Sequence, residues 1–191
     1  MANLFQADPT QSGLYRGLSS LFGYVNQDGK LSKTNCGLAA CATLLTFSGA
    51  MPRLENTAEH ENPNMLNLES HFPPNILCGM AGTSRGRVER ILDAHGYEAV
   101  EIKGEQQLRD SLELQQPVAV MLQVPGSAVM GMCMPAGHWM VAYGYNDEAV
   151  YLTNWWQHAM SWQEFRDGWN GAIPWCINMD RKGLMIRPWV R

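Results

Sequence analysis

Cysteine and histidine are the residues of this chain best suited to covalent chemistry, and five of each occur. The cysteines stand at 36, 41, 78, 133 and 176, the histidines at 60, 71, 95, 138 and 158. A thiol attacks a carbonyl as the thiolate, so a nucleophilic cysteine needs surroundings that favour negative charge. The first turn of a helix supplies them, because unpaired N–H groups and the helix dipole converge there. Cys36 opens the apolar run CGLAACATLLTF over 36–47, preceded by Thr34 and Asn35 as candidate caps and followed by Gly49 as a stop. An apolar run of this kind reads as a buried central helix. Gly37 then leaves room for a substrate beside the thiol. The alternative for Cys36 is a buried structural thiol, the usual state of a free cysteine. Cys78, also followed by glycine, is the competitor, but Gly82 and Thr83 separate it from the next helix. Cys41 lies more than a turn inside the central helix, Cys133 in the loop MGMCMP and Cys176 in a strand, and all three read as structural.

A thiol nucleophile needs a base, and the base needs a group to hold it. His60 and His71 fall in a polar stretch, and His158 in a loop flanked by tryptophan. His95 falls in the last turn of a helix, where a cation suits the dipole. His138 opens an apolar strand after Pro135, Ala136 and Gly137, where it faces either a cleft or the core. Asn154 ends the following strand, sixteen residues on (154 − 138). Side chains alternate along strands, so a loop with an odd number of residues at 146–148 sets His138 and Asn154 on one face, and an even one separates them. Asn154 otherwise reads as a turn residue. Acyl chemistry also needs donors where negative charge develops. The Cys36 N–H is one; Gln27, nine residues earlier (36 − 27), is the side-chain candidate, with Asn26 as a substitute. In such a site the Cys36 thiol is expected well below its ordinary value of about 8.5, lowered by the helix terminus and the His138 imidazolium.

The elements that position these residues follow from pattern. Residues 10–22 are expected to form a short helix, with Leu14, Leu18, Leu21 and Phe22 on one side, and 23–35 are polar and turn-rich. Residues 50–82 read as irregular, with one short helix near 64–71. Thr83 or Ser84 caps a helix through His95, stopped by Gly96. A strand at 97–103, an amphipathic helix at 105–114 and a buried strand at 117–124 follow. Strands at 138–145 and 149–155 flank the loop 146–148. Ser161 and Glu164 make a capping box for a helix to about 169, and strands at 174–179 and 184–188 form a second hairpin around 180–183. Helices followed by an antiparallel sheet make an α+β domain, read as one unit over 1–191 with 50–82 as an irregular insertion.

The chain of 191 residues is 46% hydrophobic and 17% charged, enough for one packed domain and too apolar for disorder. With a net charge of −4 and no basic stripe, nucleic acid is not an expected partner. No basic n-region with an apolar h-region and no long apolar run occurs, so neither a signal peptide nor a membrane span is expected. A cytoplasmic enzyme is expected, or one exported without a signal peptide, such as an effector or toxin. The odd, widely spaced cysteines argue against a disulfide framework. No Cys-x-x-Cys pair and no closely spaced histidine pair supports zinc, and neither metal nor cofactor is expected.

Together these segments resemble the papain-like cysteine peptidases, and more narrowly the bacteriocin-leader (double-glycine) peptidases and their soluble relatives. The residues that carry the resemblance are NCGLAA at 35–40, GHWMVAYGY at 137–145, AVYLTN at 149–154 and MSWQEF at 160–165. It spans most of 24–170, with 50–82 unmatched. It implies a central helix packed on an antiparallel sheet. It further implies Cys36 as nucleophile, His138 as general base, Asn154 as its orienting partner and Gln27 as oxyanion donor, acting on a peptide or protein without a cofactor. Two features depart from the family: the spacing from Gln27 to Cys36 is longer, and Asn stands where the leader peptidases favour Asp, although papain uses Asn. No transporter segment follows, so a transporter's leader-cleaving domain is not expected. Acyl transfer or deamidation on the same residues is the close rival. A binding module that keeps the fold without catalysis, presenting Trp139, Trp155 and Trp156, is the rival of a different class.

Overall fold

A computed structural model of the chain describes residues 2–6, 14–24, 35–54, 62–73, 75–77, 80–124, 128–129, 132–133, 136–154, 158–170, 172–173, 177–178 and 182–188. Strands Ala2–Gln6 (β1), Arg16–Gly17 (β2) and Ser20–Tyr24 (β3) lead into helix Cys36–Phe47 (α1) and helix Pro63–His71 (α2). Strands Asn75–Leu77 (β4) and Met80–Gly82 (β5), helix Arg85–Ala94 (α3), strand Tyr97–Lys103 (β6), helix Gly104–Glu113 (α4) and strand Val118–Val124 (β7) follow. The remainder comprises strands Ala128–Val129 (β8), Met132–Cys133 (β9), Ala136–Tyr145 (β10), Ala149–Leu152 (β11) and Ala159–Ser161 (β12), helix Trp162–Trp169 (α5), and strands Ala172–Ile173 (β13), Ile177–Asn178 (β14) and Lys182–Pro188 (β15).

Among the described residues, one antiparallel sheet runs in the order β12-β11-β10-β7-β15-β6, and β2 joins β10 as a seventh strand past the end of β7. The fold is α+β. Alternation along β10 explains its apolar sequence: Trp139, Val141 and Tyr143 enter a core with α1, α2 and α3, while Met140 and Ala142 enter a second core with α4 and α5. Both faces of β10 are covered, so neither carries surface-type residues. Helix α1 is buried from Cys36 to Leu45, as its all-round apolar sequence requires. Its one buried hydroxyl in that stretch, Thr43, donates to Ala39 O at 2.8 Å and accepts the Tyr24 N–H at 3.0 Å, pinning β3 to the helix.

Several expectations need correction. Residues 14–24 are strand and loop rather than helix: Gly17 has φ +120°, outside helical space, and Leu18 N–H donates to Tyr143 O at 2.9 Å. Pairing with β10 thus overrides the helical spacing of Leu14, Leu18, Leu21 and Phe22. Segment 184–188 belongs to β15, which pairs with β6 and β7, and Ile177–Asn178, the described part of the other expected arm, pairs with β13. Burial of Leu184 and Ile186 draws β15 into the sheet. Within 50–82, the β4–β5 hairpin accompanies the helix. The strand expected to run to 155 stops at Leu152, and Thr153 and Asn154 form a bend.

The turn between β10 and β11 decides where residue 154 lands. Tyr145 pairs with Val150, leaving four residues in the loop, an even number. A bulge between Ala142 and Gly144 then shifts the register by one, so that Ala142 faces Leu152. The two displacements cancel, and the register continued by two residues sets Asn154 opposite Met140, diagonal to His138. Gly17 supports this bulge: a Cβ there would stand 2.6 Å from Tyr143 O. Gly17→Ala is expected to destabilise the chain by about 1–3 kcal/mol, lowering the melting temperature by roughly 2–10 °C. An unchanged thermal unfolding midpoint would show that β2 does not brace the bulge.

Candidate active site

Cys36 is the first residue of α1 and is 7% exposed. The preceding Asn35 does not cap the helix with its side chain; its amide donates instead to Glu69 Oε1 on α2 at 2.8 Å. The first-turn N–H groups are therefore left for other acceptors. The sulfur takes hydrogen bonds from the backbone N–H groups of Trp139, Gly37 and Cys36. The Trp139 bond crosses from the helix to the sheet.

That contact exists because β11 is short. Val141 turns its backbone toward the β11 side, where its O accepts Thr153 N–H at 2.9 Å and its N–H reaches Thr153 Oγ1 at 3.3 Å. Trp139, two residues back, turns its backbone the same way, but β11 has ended. Its N–H goes to the Cys36 sulfur, and its O accepts Asn154 Nδ2 at 3.2 Å. The residue before it is His138, whose Nε2 lies 2.9 Å from Asn154 O. The Trp139 main chain thus touches both Cys36 and Asn154, and His138 adjoins it in the chain.

Asn154 holds the imidazole by its main-chain carbonyl, whereas the expected contact was its side-chain amide. Its φ of 59° is left-handed, a region asparagine tolerates better than most residues, and this turns the carbonyl toward the ring. A carbonyl only accepts, so Nε2 must carry the proton; in a neutral ring, Nδ1 is then the basic nitrogen. Gln27 and Asn26 lie outside the described residues, as do Cys78, Cys176 and His60. Cys133 falls in β9. Cys41 is fully buried and its thiol is pushed up by burial, the behaviour of a packing residue. His71 Nδ1 and His95 Nδ1 sit 2.9 and 2.7 Å from Asn67 O and Ile91 O, each on its own helix. Among the described residues no three His, Cys, Asp or Glu could hold a metal ion, and no helix there is long and apolar enough to cross a membrane.

The sequence offers Trp139 for a recognition surface and Thr83 for a helix cap, and does not show that both lie against the start of α1. The Trp139 indole N–H donates to Thr83 O at 2.7 Å, and the Thr83 side chain packs on the Gly37 backbone. Gly37 therefore makes room for Thr83, not for a substrate. Its smallness signals a close approach, but nothing local names the visitor.

The expected lowered thiol is also corrected. Burial pushes the Cys36 thiol up, and the three N–H bonds offset this only in part. Burial likewise pushes His138 down, against the pull of Asn154 O. Both shifts favour a neutral thiol and a neutral imidazole at rest. Iodoacetamide should therefore alkylate native Cys36 slowly at about pH 6, with a rate that climbs into the alkaline range, because only the thiolate reacts. A rate already level by about pH 7 would reveal a preformed thiolate–imidazolium pair instead.

No family model matches the chain, and no curated protein does. Solved structures do match. A proposed C39-like peptidase from Bacillus anthracis aligns with a TM-score of 0.61 at 14% identity, over 93% of this chain and all of that one. The peptidase domain of Streptococcus ComA, a bi-functional ABC transporter involved in quorum sensing, aligns with a TM-score of 0.53 at 17% identity, over 87% of this chain and 98% of that one. The chain shares the α+β fold of these two structures, helices packed on an antiparallel sheet.

Proposed function

We propose that this chain is a cysteine hydrolase that cleaves a peptide or amide bond through an acyl-enzyme, with Cys36 as nucleophile, His138 as base and Asn154 as its orienting partner. The supporting observation is the meeting of the Cys36 sulfur and Asn154 at the open Trp139 peptide, with the imidazole of the adjoining His138 fixed so that Nδ1 is its basic nitrogen. The likeness in fold to two structures named as peptidases agrees with a peptide or protein substrate.

In this reading the resting pair is neutral, and the proton moves as the substrate is attacked. The Cys36 proton passes to His138 Nδ1 while the sulfur bonds to the carbonyl carbon and the π pair moves onto oxygen. The Cys36 N–H and Gln27 receive the negative charge. Collapse breaks the C–N bond, and His138 returns its proton to the leaving amine. A water deprotonated by His138 then attacks the thioester; the C–S bond breaks and the thiol is restored. Residues 1–191 act as one catalytic domain in this account, without metal or cofactor.

A peptide library with mass-spectrometric detection of new N-termini tests the proposal. Wild type should cleave a subset of bonds, and Cys36→Ala and His138→Ala should each lower turnover by at least about a thousandfold. Because the imidazole is held by the carbonyl of a residue at φ 59°, Asn154→Gly should retain about tenfold more activity than Asn154→Val, which would pay about 1–2 kcal/mol for that backbone. Cleavage that survives Cys36→Ala would refute the assignment. Ammonia release without new N-termini would move the reaction to deamidation.

A further inference from the structure

Thr83 stands between β5 and α3 and is 5% exposed. Its hydroxyl oxygen is buried and has no hydrogen-bond partner among the described residues. A buried hydroxyl left unpaired costs about 1–3 kcal/mol, and an apolar group of the same shape avoids that cost. Valine would fill the space equally well, so folding alone does not account for threonine here. The surroundings are specific. Thr83 Oγ1 lies 2.9 Å from where a Cβ on Gly37 would stand, so the side chain rests on the residue next to Cys36 in the first turn of α1. Its carbonyl is held by the Trp139 indole N–H, and the Trp139 backbone N–H is held by the Cys36 sulfur. Thr83 thus meets both halves of the site, its carbonyl at Trp139 and its side chain at Gly37, while its hydroxyl stays unused.

We infer that the Thr83 hydroxyl is a donor to the oxygen of the carbonyl under attack at the N-terminus of α1, a role that rests on Cys36 acting as the nucleophile. The first-turn N–H groups and the dipole of a twelve-residue helix already favour an anion there. A hydroxyl with a free proton, one residue along, adds a donor that gains its partner when the negative charge forms. A donor of this kind stabilises the tetrahedral oxyanion and leaves displacements that form none untouched.

Two small reagents separate these cases on the full-length chain. p-Nitrophenyl acetate acetylates a thiol through a tetrahedral oxyanion: the S–C bond forms, the thiol proton goes to the base and p-nitrophenolate leaves. Iodoacetamide alkylates the same sulfur by direct displacement of iodide, with no oxyanion. Thr83→Val should slow acetylation of Cys36 roughly a hundredfold, leave alkylation unchanged, and leave stability to urea equal or higher. Thr83→Ser, which keeps the hydroxyl, should acetylate like wild type. If Thr83→Val does not fold, Thr83→Ala carries the same comparison of reagents. Equal acetylation of Thr83→Val and wild type, with His138→Ala slow, would overturn the role of Thr83 alone. A loss shared equally by both reagents would also overturn it, since that is the mark of packing. Acetylation of Cys36 that His138→Ala leaves unchanged would instead refute the hydrolase reading on which it rests.

Discussion

An unpaired stretch of strand edge organises the site. Strand β11 stops at Leu152, three residue positions before the backbone of β10 reaches Trp139. A buried peptide group without a partner is costly, so the Trp139 N–H and O must find acceptor and donor elsewhere. They find the Cys36 sulfur from α1 and the Asn154 amide from the chain just past β11. The requirement that every buried backbone group be paired is met here by two residues of the proposed site. The side chain of His138 leaves β10 on the face of Met140, whereas α1 packs on the face of Trp139 and Val141.

Two opposing electrostatic effects act on that edge. The start of α1 and three N–H donors favour a thiolate; removal from water favours the neutral thiol. At 7% exposure the second effect wins, and the same burial holds His138 neutral. A neutral thiol is also slow to oxidise and to react with stray electrophiles. In the proposed mechanism reactivity waits for a substrate, when charge develops on an oxygen near the start of α1.

Much of this was legible in the sequence where the signal is local. The span of α1 follows from an apolar run with a stop, that of α3 from Gly96 and from Ser84, which takes the N-cap position without a side-chain bond, and that of α5 from the Ser161–Glu164 box, whose reciprocal bonds are both present. What could not be read depends on partners distant in sequence. The pairing of β15 with β6 and β7, and the clamp of β2 on β10, are set by the sheet and not by the strands themselves. The count at 146–148 did not foresee the four-residue loop and the bulge that compensate one another, nor that pairing ends at Leu152, before Asn154. Asn154 was legible as a partner of His138, but its use of the carbonyl depends on a backbone angle that residue type does not dictate. Thr83 was legible as a cap candidate alone, because its place against Gly37 is a tertiary contact.

The proposed hydrolysis passes through a covalent intermediate at one sulfur. Acid quench of the enzyme during turnover of a cleavable peptide, followed by mass-spectrometric mapping of thioesters, observes it directly. The predicted result is the acyl half of the peptide attached to Cys36 and to no other cysteine, formed and lost at rates consistent with turnover. Turnover without any thioester, or a thioester on Cys78 or another thiol, would contradict the account.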